Sequence, residues 1–423
     1  MNIKVKNTTL EYAMSRPLPK RKPLKKPSLL FRTLVRLLSI PDLVATKFKY
    51  TTHRLEEAGK GPYLILMNHS SFIDLKIASK ILYPTPYFIV STSDSFVGKE
   101  WLMRELGCIP TRKFTNDVPL MRDMVTALRD KKTSVLLYPE AGYSFDGRAT
   151  PLPRKLGQML KRLNVPVLSI ITDGAFLRQP LYNDLKLRKV EITAKFSCLL
   201  TKQEIAEKSV DELDEMIDNA FSFDNFKSQL QKGKIVGEPF RAQGLHRVLY
   251  RCPHCQTEGQ MLGEGETLTC KHCGVSYHMD TLGTLENVDG ESKFTHIPKW
   301  YEWQRECVKK EIIDGTYGME LDVDIIILRD YKALYAVGEG KLTHGEDGFT
   351  LTGCEGKLQC KQSVLSSYGL NADYNWYELG DIICIADKEA LYYCIPRQEG
   401  VVTKARFAAE ELYKLKKQAL SEQ

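Results

Sequence analysis

The chain has 423 residues, 43% hydrophobic and 27% charged, with a formal net charge of +7. At roughly 150 residues per domain the length implies two or three domains, and the apolar fraction excludes a disordered chain. No run of 18 apolar residues is present, which argues against a membrane-spanning helix, and the opening Met-Asn-Ile-Lys-Val-Lys-Asn lacks the apolar core of a secretory signal, so an intracellular protein is expected.

The positive charge is concentrated at the start. Residues 1–50 carry twelve Lys and Arg against Glu11 and Asp42, a surplus of ten, so residues 51–423 are net −3. Between Arg16 and Lys26 the cations alternate with Pro17, Pro19 and Pro23, and Pro27 follows; this spacing excludes a helix. Ser28 then offers an N-cap for a helix running from Leu29 towards Pro41, with Leu30, Leu34, Leu37 and Leu38 on one face and Arg32 and Arg36 on a polar edge. Residues 1–50 therefore read either as a peripheral anchor on an anionic membrane surface, each cation contributing on the order of 1 kcal/mol, or as a solvated tail and a helix docked on the protein's own core. Few aromatics interleave with the cations, which disfavours a nucleic-acid arm.

Residues 51–232 alternate strand-like and helical patterns. Strands are expected at 63–67, 87–90, 134–138, 165–171 and 186–197, and helices at 73–82, 118–129, 155–163 and 209–221. Such alternation implies an α/β domain, a mixed or parallel sheet flanked by helices.

The most informative stretch is Asn68-His69-Ser70-Ser71-Phe72-Ile73-Asp74. His69 follows an apolar strand, and Asp74, in the first turn of the next helix, can reach back to its imidazole. That pairing fixes the tautomer and leaves one ring nitrogen as a general base. Taken alone, the same residues also suit an inert capping His and first-turn Asp.

Three further pieces follow: Gly107-Cys108-Ile109-Pro110-Thr111-Arg112-Lys113, Pro139-Glu140-Ala141-Gly142-Tyr143-Ser144, and Val165-Pro166-Val167. In this order and spacing the four resemble the glycerolipid acyltransferases of the 1-acylglycerol-3-phosphate type, over roughly residues 28–200. The resemblance implies that His69 and Asp74 are the catalytic pair. His69 would deprotonate an acceptor hydroxyl for attack on an acyl thioester, and backbone donors near the start of its helix would stabilise the oxyanion. It also implies that Arg112, with Lys113, holds the acceptor phosphate, and that Glu140, Gly142 and Ser144 shape the acceptor site. Tyr143 stands where the family has a phosphate-binding arginine, leaving Arg148 and Lys155 as candidate substitutes. The short interval from Gly107 to Arg112 makes Lys113 a rival to Arg112.

Cys252-Pro253-His254-Cys255 and Cys270-Lys271-His272-Cys273, with 14 residues between Cys255 and Cys270, have the spacing of a four-thiolate zinc ribbon with a structural ion. Disulfides are disfavoured in an intracellular chain. The segment 247–283 sets Arg247, Arg251 and Lys271 against Glu258, Glu264, Glu266 and Asp280, so no nucleic-acid partner is expected. Beyond it, an aromatic helix opening near Ile297 is expected to bury Trp300 and Trp303. Strands at 325–328, 333–337, 382–385 and 391–395 and a closing helix at 403–420 complete a β-rich C-terminal domain.

The organisation expected is thus a basic arm and anchoring helix (1–50), an acyltransferase domain (51–232), a zinc ribbon (247–283) and a C-terminal domain (295–423). The activity expected is O-acyl transfer in phospholipid biosynthesis. The donor would be acyl-coenzyme A or acyl-carrier protein, the acceptor lysophosphatidate or a related lysophospholipid, and the site the cytoplasmic face of a membrane. The alternative is a zinc-ribbon adaptor that retains an inactive acyltransferase-like domain.

Overall fold

The computed structural model describes residues 3–113, 115, 117–153 and 156–422. The chain begins with β1 (Val5–Asn7), α1 (Leu10–Ser15), α2 (Leu29–Ala45), β2 (Lys49–His53), β3 (Leu64–Met67), α3 (Asp74–Leu82), β4 (Tyr87–Thr92) and α4 (Glu100–Glu105). It continues with β5 (Cys108–Thr111), α5 (Val118–Val125), β6 (Ser134–Leu137), α6 (Leu156–Leu163), β7 (Val167–Asp173), α7 (Ala175–Arg178), β8 (Thr193–Leu200), α8 (Lys202–Glu207), α9 (Val210–Ala220) and α10 (Asn225–Lys232).

β2 to β8 form one sheet in the order β2-β8-β7-β3-β6-β4-β5, parallel except for the β7–β8 pair. All four residues of β3 are buried, as a strand covered by helices on both faces requires. The mixed α/β domain expected from the sequence is therefore present. The last strand starts later than its pattern suggests, because residues 186–192 wrap the buried Arg188. Its Nη2 donates to Tyr182 Oη (3.2 Å), Asn183 Oδ1 (3.0 Å) and the Arg241 carbonyl (2.9 Å). α5 ends at Val125 and passes into a wider turn over Thr126–Asp130. α6 starts at Leu156; Lys155, its expected first residue, lies outside the described residues.

A four-stranded antiparallel ribbon follows: β9 (Met261–Glu264), β10 (Thr267–Cys270), β11 (Ser276–Met279) and β12 (Leu285–Asn287). Then come α11 (Ile297–Ile313), β13 (Met319–Leu328), β14 (Leu334–Gly345), β15 (Gly348–Gly353), β16 (Leu358–Ser363), β17 (Asn371–Asp373), β18 (Ile382–Ala386), β19 (Leu391–Pro396) and α12 (Val401–Ser421). The sheet order here is β16-β15-β14-β13-β19-β18-β17. A single hydrophobic core runs from Phe145, Phe176 and Tyr182 through Cys252, Tyr277 and Trp300 to Ile325 and Phe407. The ribbon is thus packed between the other two domains. Trp300 is fully buried, its Nε1 donating to the Arg251 carbonyl (3.0 Å), and Trp303 packs half-buried on the same core. α11 and α12 are joined by a buried charge cluster, Arg305 to Glu410 (2.6 Å) and Glu411 (3.0 Å), and Arg406 to Glu410 (3.0 Å).

The N-terminal segment departs from the free arm that its composition suggests. β1 pairs in parallel with β14, Val5 beside Leu334, so the chain starts inside the C-terminal sheet. Arg16 then meets Asp330 (2.9 Å), and the proline-broken stretch crosses the α/β domain as a strap. Arg21 pairs with Asp123, Lys22 with Glu100 (2.8 Å), and Lys25 with Glu105. The strap ends with Pro27 packed on Gly107, whose φ of +79° and lack of a side chain both matter: a Cβ there would lie 2.9 Å from Pro27 Cδ. Arg16, Arg21, Lys22 and Lys25 thus find carboxylates on their own protein.

α2 starts as expected, with Ser28 Oγ accepting from Phe31 N–H, but runs through Pro41 to Ala45. Its last turn is held by Asp42, which pairs with Lys76 and with Arg178 (3.2 Å). Leu43 is buried against the domain, whereas Leu30, Leu34, Leu37, Leu38 and Val44 remain exposed, Leu30 at 73%.

Candidate active site and metal centre

The site is built at the end of β3. Asn68, fully buried, ties β3 to β7: its Oδ1 accepts from Thr172 N–H (2.8 Å) and its Nδ2 donates to the Thr172 carbonyl (3.2 Å). The next residue, His69, is thereby placed on a fixed backbone. Its Nδ1 lies 3.0 Å from Asp74 Oδ2, and that same oxygen accepts from Ser70 N–H (2.8 Å) and Ser71 N–H (3.1 Å). An ionised carboxylate only accepts, so Nδ1 carries the proton and Nε2 keeps its lone pair.

The imidazole lies between two tyrosine rings, Tyr138 at 4.2 Å and Tyr143 at 4.0 Å between centroids. Burial pulls its pKa below the ordinary 6.5, outweighing the Asp74 contact that raises it, and the Lys113 charge lowers it further. His69 is therefore a neutral base at neutral pH. Tyr143, which the sequence marks chiefly as an absent arginine, is one face of this aromatic sandwich.

Glu140 and Ser144 stand behind the site rather than in its wall. Glu140 Oε1 accepts from His69 N–H (3.0 Å), and Oε2 from Thr150 N–H (3.0 Å) and Thr150 Oγ1 (3.2 Å). Burial pushes this carboxyl up to about 7, against those hydrogen bonds. Ser144 Oγ donates to the Arg148 carbonyl (2.6 Å) and accepts from Gly147 N–H (2.9 Å), closing the turn. Gly142 has open space beside its Cα, and the left-handed backbone of this loop falls on Ala141 instead, at φ +54°. Of the backbone donors before α3, Ser70 and Ser71 N–H serve Asp74, and His69 N–H serves Glu140.

The adjacent cations diverge, as neighbours at a strand end do. Arg112 Nη2 donates to the carbonyls of Asp387 (2.7 Å) and Ala390 (2.8 Å), clasping the turn between β18 and β19. Lys113 lines the cavity and has no ion-pair partner among the described residues. Arg148 pairs with Asp146 (2.7 Å) and Glu302 (2.9 Å), and Lys155 lies outside the described residues.

His69 opens onto a cavity of about 1150 Å³, large enough for an extended apolar chain. Its walls come from α2 (Phe31, Val35), the α/β domain (Phe72, Tyr143) and the C-terminal domain (Asp373, Trp376). The C-terminal contribution carries no motif in the sequence, and periodicity alone offers no signal for it.

In the ribbon, the Sγ atoms of Cys252, Cys255, Cys270 and Cys273 all lie within 4.8 Å of one another. Cys252–Cys273 and Cys255–Cys270 are each 3.8 Å apart. A tetrahedron with metal–sulfur bonds of about 2.3 Å has edges of about 3.8 Å, whereas a disulfide requires about 2.05 Å. The two knuckles repeat one geometry, with Gln256 N–H on the Cys252 carbonyl and Gly274 N–H on the Cys270 carbonyl, both 2.9 Å. Gln256 and Gly274 both have left-handed backbone, at φ +62° and +79°. His254 and His272 are exposed and stand outside the cluster. The four thiols fit a closed tetrahedral metal site.

Residues 47–173 match the family model described as Acyltransferase, a span that brackets Asn68–Asp74, Gly107–Lys113 and Pro139–Ser144. No curated protein matches the chain. Among solved structures, the chain is similar to the 1-acyl-sn-glycerophosphate (LPA) acyltransferase PlsC from Thermotoga maritima. The two are 14% identical, with a TM-score of 0.36, over 45% of this chain and 76% of that one.

The metal site makes a direct prediction. Elemental analysis of the purified protein should find about one thiolate-bound divalent ion per chain, and Cys252→Ser should lose it and melt at lower temperature. A metal-free protein whose Cys252→Ser variant melts like wild type contradicts the assignment.

Proposed function

We propose that this chain, whose residues 47–173 are a domain of the acyltransferase family, transfers a fatty acyl group from a thioester to the free hydroxyl of lysophosphatidate or a related lysophospholipid. The observation that carries this reading is His69, its Nδ1 3.0 Å from Asp74 Oδ2 and its ring opening onto a cavity sized for an acyl chain. His69 Nε2 takes the proton of the acceptor hydroxyl as its oxygen bonds to the thioester carbonyl carbon. Collapse of the tetrahedral intermediate breaks the C–S bond, and the departing thiolate recovers that proton from Nε2. Asp74 stabilises the transient imidazolium without itself taking a proton. Lys113 is the cation available to the acceptor phosphate.

The thioester carrier is coenzyme A or acyl-carrier protein. The ion of the ribbon is zinc in a structural role, since four thiolates leave no open coordination position. No helix among the described residues is long and apolar enough to cross a membrane. Access to lipid is instead through the exposed leucine face of α2, whose other side lines the cavity through Phe31 and Val35. The enzyme thus works peripherally, at the cytoplasmic face. With Arg21, Lys22 and Lys25 engaged on the protein, apolar insertion outweighs charge in that attachment.

Two measurements test this reading. His69→Ala and Asp74→Asn should each lower kcat for thioester-dependent acylation of lysolipids by roughly 10²- to 10⁴-fold. Wild-type protein that acylates no lysolipid, or a His69→Ala variant as active as wild type, sinks the enzyme reading and favours an adaptor. In vesicle sedimentation, Leu30→Glu with Leu37→Glu should reduce the bound fraction several-fold, while raised salt changes it little. Equal binding by wild type and variant places the attachment elsewhere.

A further inference from the structure

Part of the cavity wall comes from outside the acyltransferase-family segment: β17 and the turn after it, through Glu378. Asp373 closes β17. Its Oδ1 accepts from Tyr374 N–H (3.0 Å), and its other oxygen accepts no hydrogen bond among the described residues. Lys113 lines the same cavity. The lysine charge acts on both Asp373 and His69, yet the two side chains stand too far apart to form an ion pair. Burial pushes the Asp373 carboxyl up to about 7, because Lys113 offsets only part of its desolvation. Lys113 and Asp373 are therefore an ammonium and a carboxylate in one cavity lining, neither in an ion pair among the described residues.

The rest of the lining constrains what fits between them. A phosphomonoester dianion calls for several cations, but of those lining the cavity Arg32 is engaged with the Ser28 and Pro84 carbonyls, Arg112 with those of Asp387 and Ala390, and Lys99 stands under the Asp94 charge, while Tyr143 replaces the arginine of the family pattern. Such a dianion would also sit near Asp373 and Asp94, both of which line the cavity. A phosphodiester carries a single charge, which one lysine matches. Beside Asp373, the side chains of Tyr374, Trp376 and Tyr377 line the cavity and offer π faces to an organic cation. Trp376 is fixed there by stacking on Tyr393 (4.2 Å) and by its Nε1 on Asp94 Oδ2 (3.3 Å).

Building on the acyltransferase reading, we propose that the acceptor is a lysophospholipid with a zwitterionic headgroup, its phosphodiester on Lys113 and its ammonium on Asp373 beside the aromatic turn 374–377. The appended C-terminal domain then serves as the headgroup reader for a catalytic base on the other domain. The Arg112 clasp follows from the same arrangement, because it ties the strand that delivers Lys113 to the sheet that delivers Asp373.

The test compares four acceptors of identical acyl chain with full-length enzyme and acyl-coenzyme A or acyl-carrier protein: lysophosphatidate, lysophosphatidylglycerol, lysophosphatidylethanolamine and lysophosphatidylcholine. At least one ammonium acceptor should exceed both anionic acceptors in kcat/KM by about tenfold or more. Asp373→Asn should shrink that preference by about tenfold, and Asp373→Glu should restore most of it. Lysophosphatidate as the best acceptor overturns the proposal, and this result needs no variant to fold. A preference unchanged by Asp373→Asn, with all acceptors falling alike, overturns it as well. Transfer to none of the four contradicts the underlying acyltransferase reading instead.

Discussion

A single carboxylate oxygen, Asp74 Oδ2, organises the end of the molecule that carries His69. It accepts from the His69 imidazole and from the amides of Ser70 and Ser71, so one atom fixes a side chain and the turn that carries it. Deeply buried carboxylates are costly; here three donors meet Oδ2 while Oδ1 has no partner among the described residues, and the first turn of α3 adds a helix dipole that favours negative charge. On the other side, Asn68 locks the preceding residue to β7 and Glu140 holds the His69 amide. Removing Asp74 would therefore release the tautomer and the turn together.

What surrounds this centre comes from more than one domain. The tyrosines that flank His69 withdraw it from water, and the loop bearing Tyr143 is supported from outside the domain. Phe145 stacks on Tyr374 (4.3 Å), and the Arg406 guanidinium of α12 covers its ring at 4.4 Å. The strap of residues 16–27, the Arg112 clasp and the continuous core through the ribbon join the parts into one unit. A four-thiolate ion in the ribbon would act at a distance, by keeping the C-terminal wall of the cavity in position.

Much of this was legible in the amino-acid order, for definable reasons. β3, α3, β4 and β6 carry strong local apolar signals, and a capping box of Ser209 and Glu212 starts α9. His69, Asp74 and the four cysteines depend on short spacings that local geometry enforces. What was not legible depends on pairings across hundreds of residues. Nothing in Val5–Asn7 announces β14 as its partner, and nothing in the Arg21–Lys25 run announces Asp123, Glu100 and Glu105. The same run therefore looks like a polybasic tail. Arg112 and Lys113 both line the cavity, and only the fold ties the Arg112 guanidinium to the carbonyls of Asp387 and Ala390 while leaving Lys113 without an ion pair among the described residues. Pro41 is a strong local stop signal that tertiary contacts of Asp42 override.

The central claim is that His69 is held as a neutral imidazole with its proton on Nδ1. Nitrogen-15 NMR of histidine-labelled protein, with His69 assigned among the eight histidines by a His69→Gln variant, reads tautomer and titration together. The account predicts the Nδ1–H tautomer at pH 7 and a midpoint below 6.5, so that the charged form appears only in acid. An Nε2–H tautomer, or a midpoint above 6.5, would contradict it.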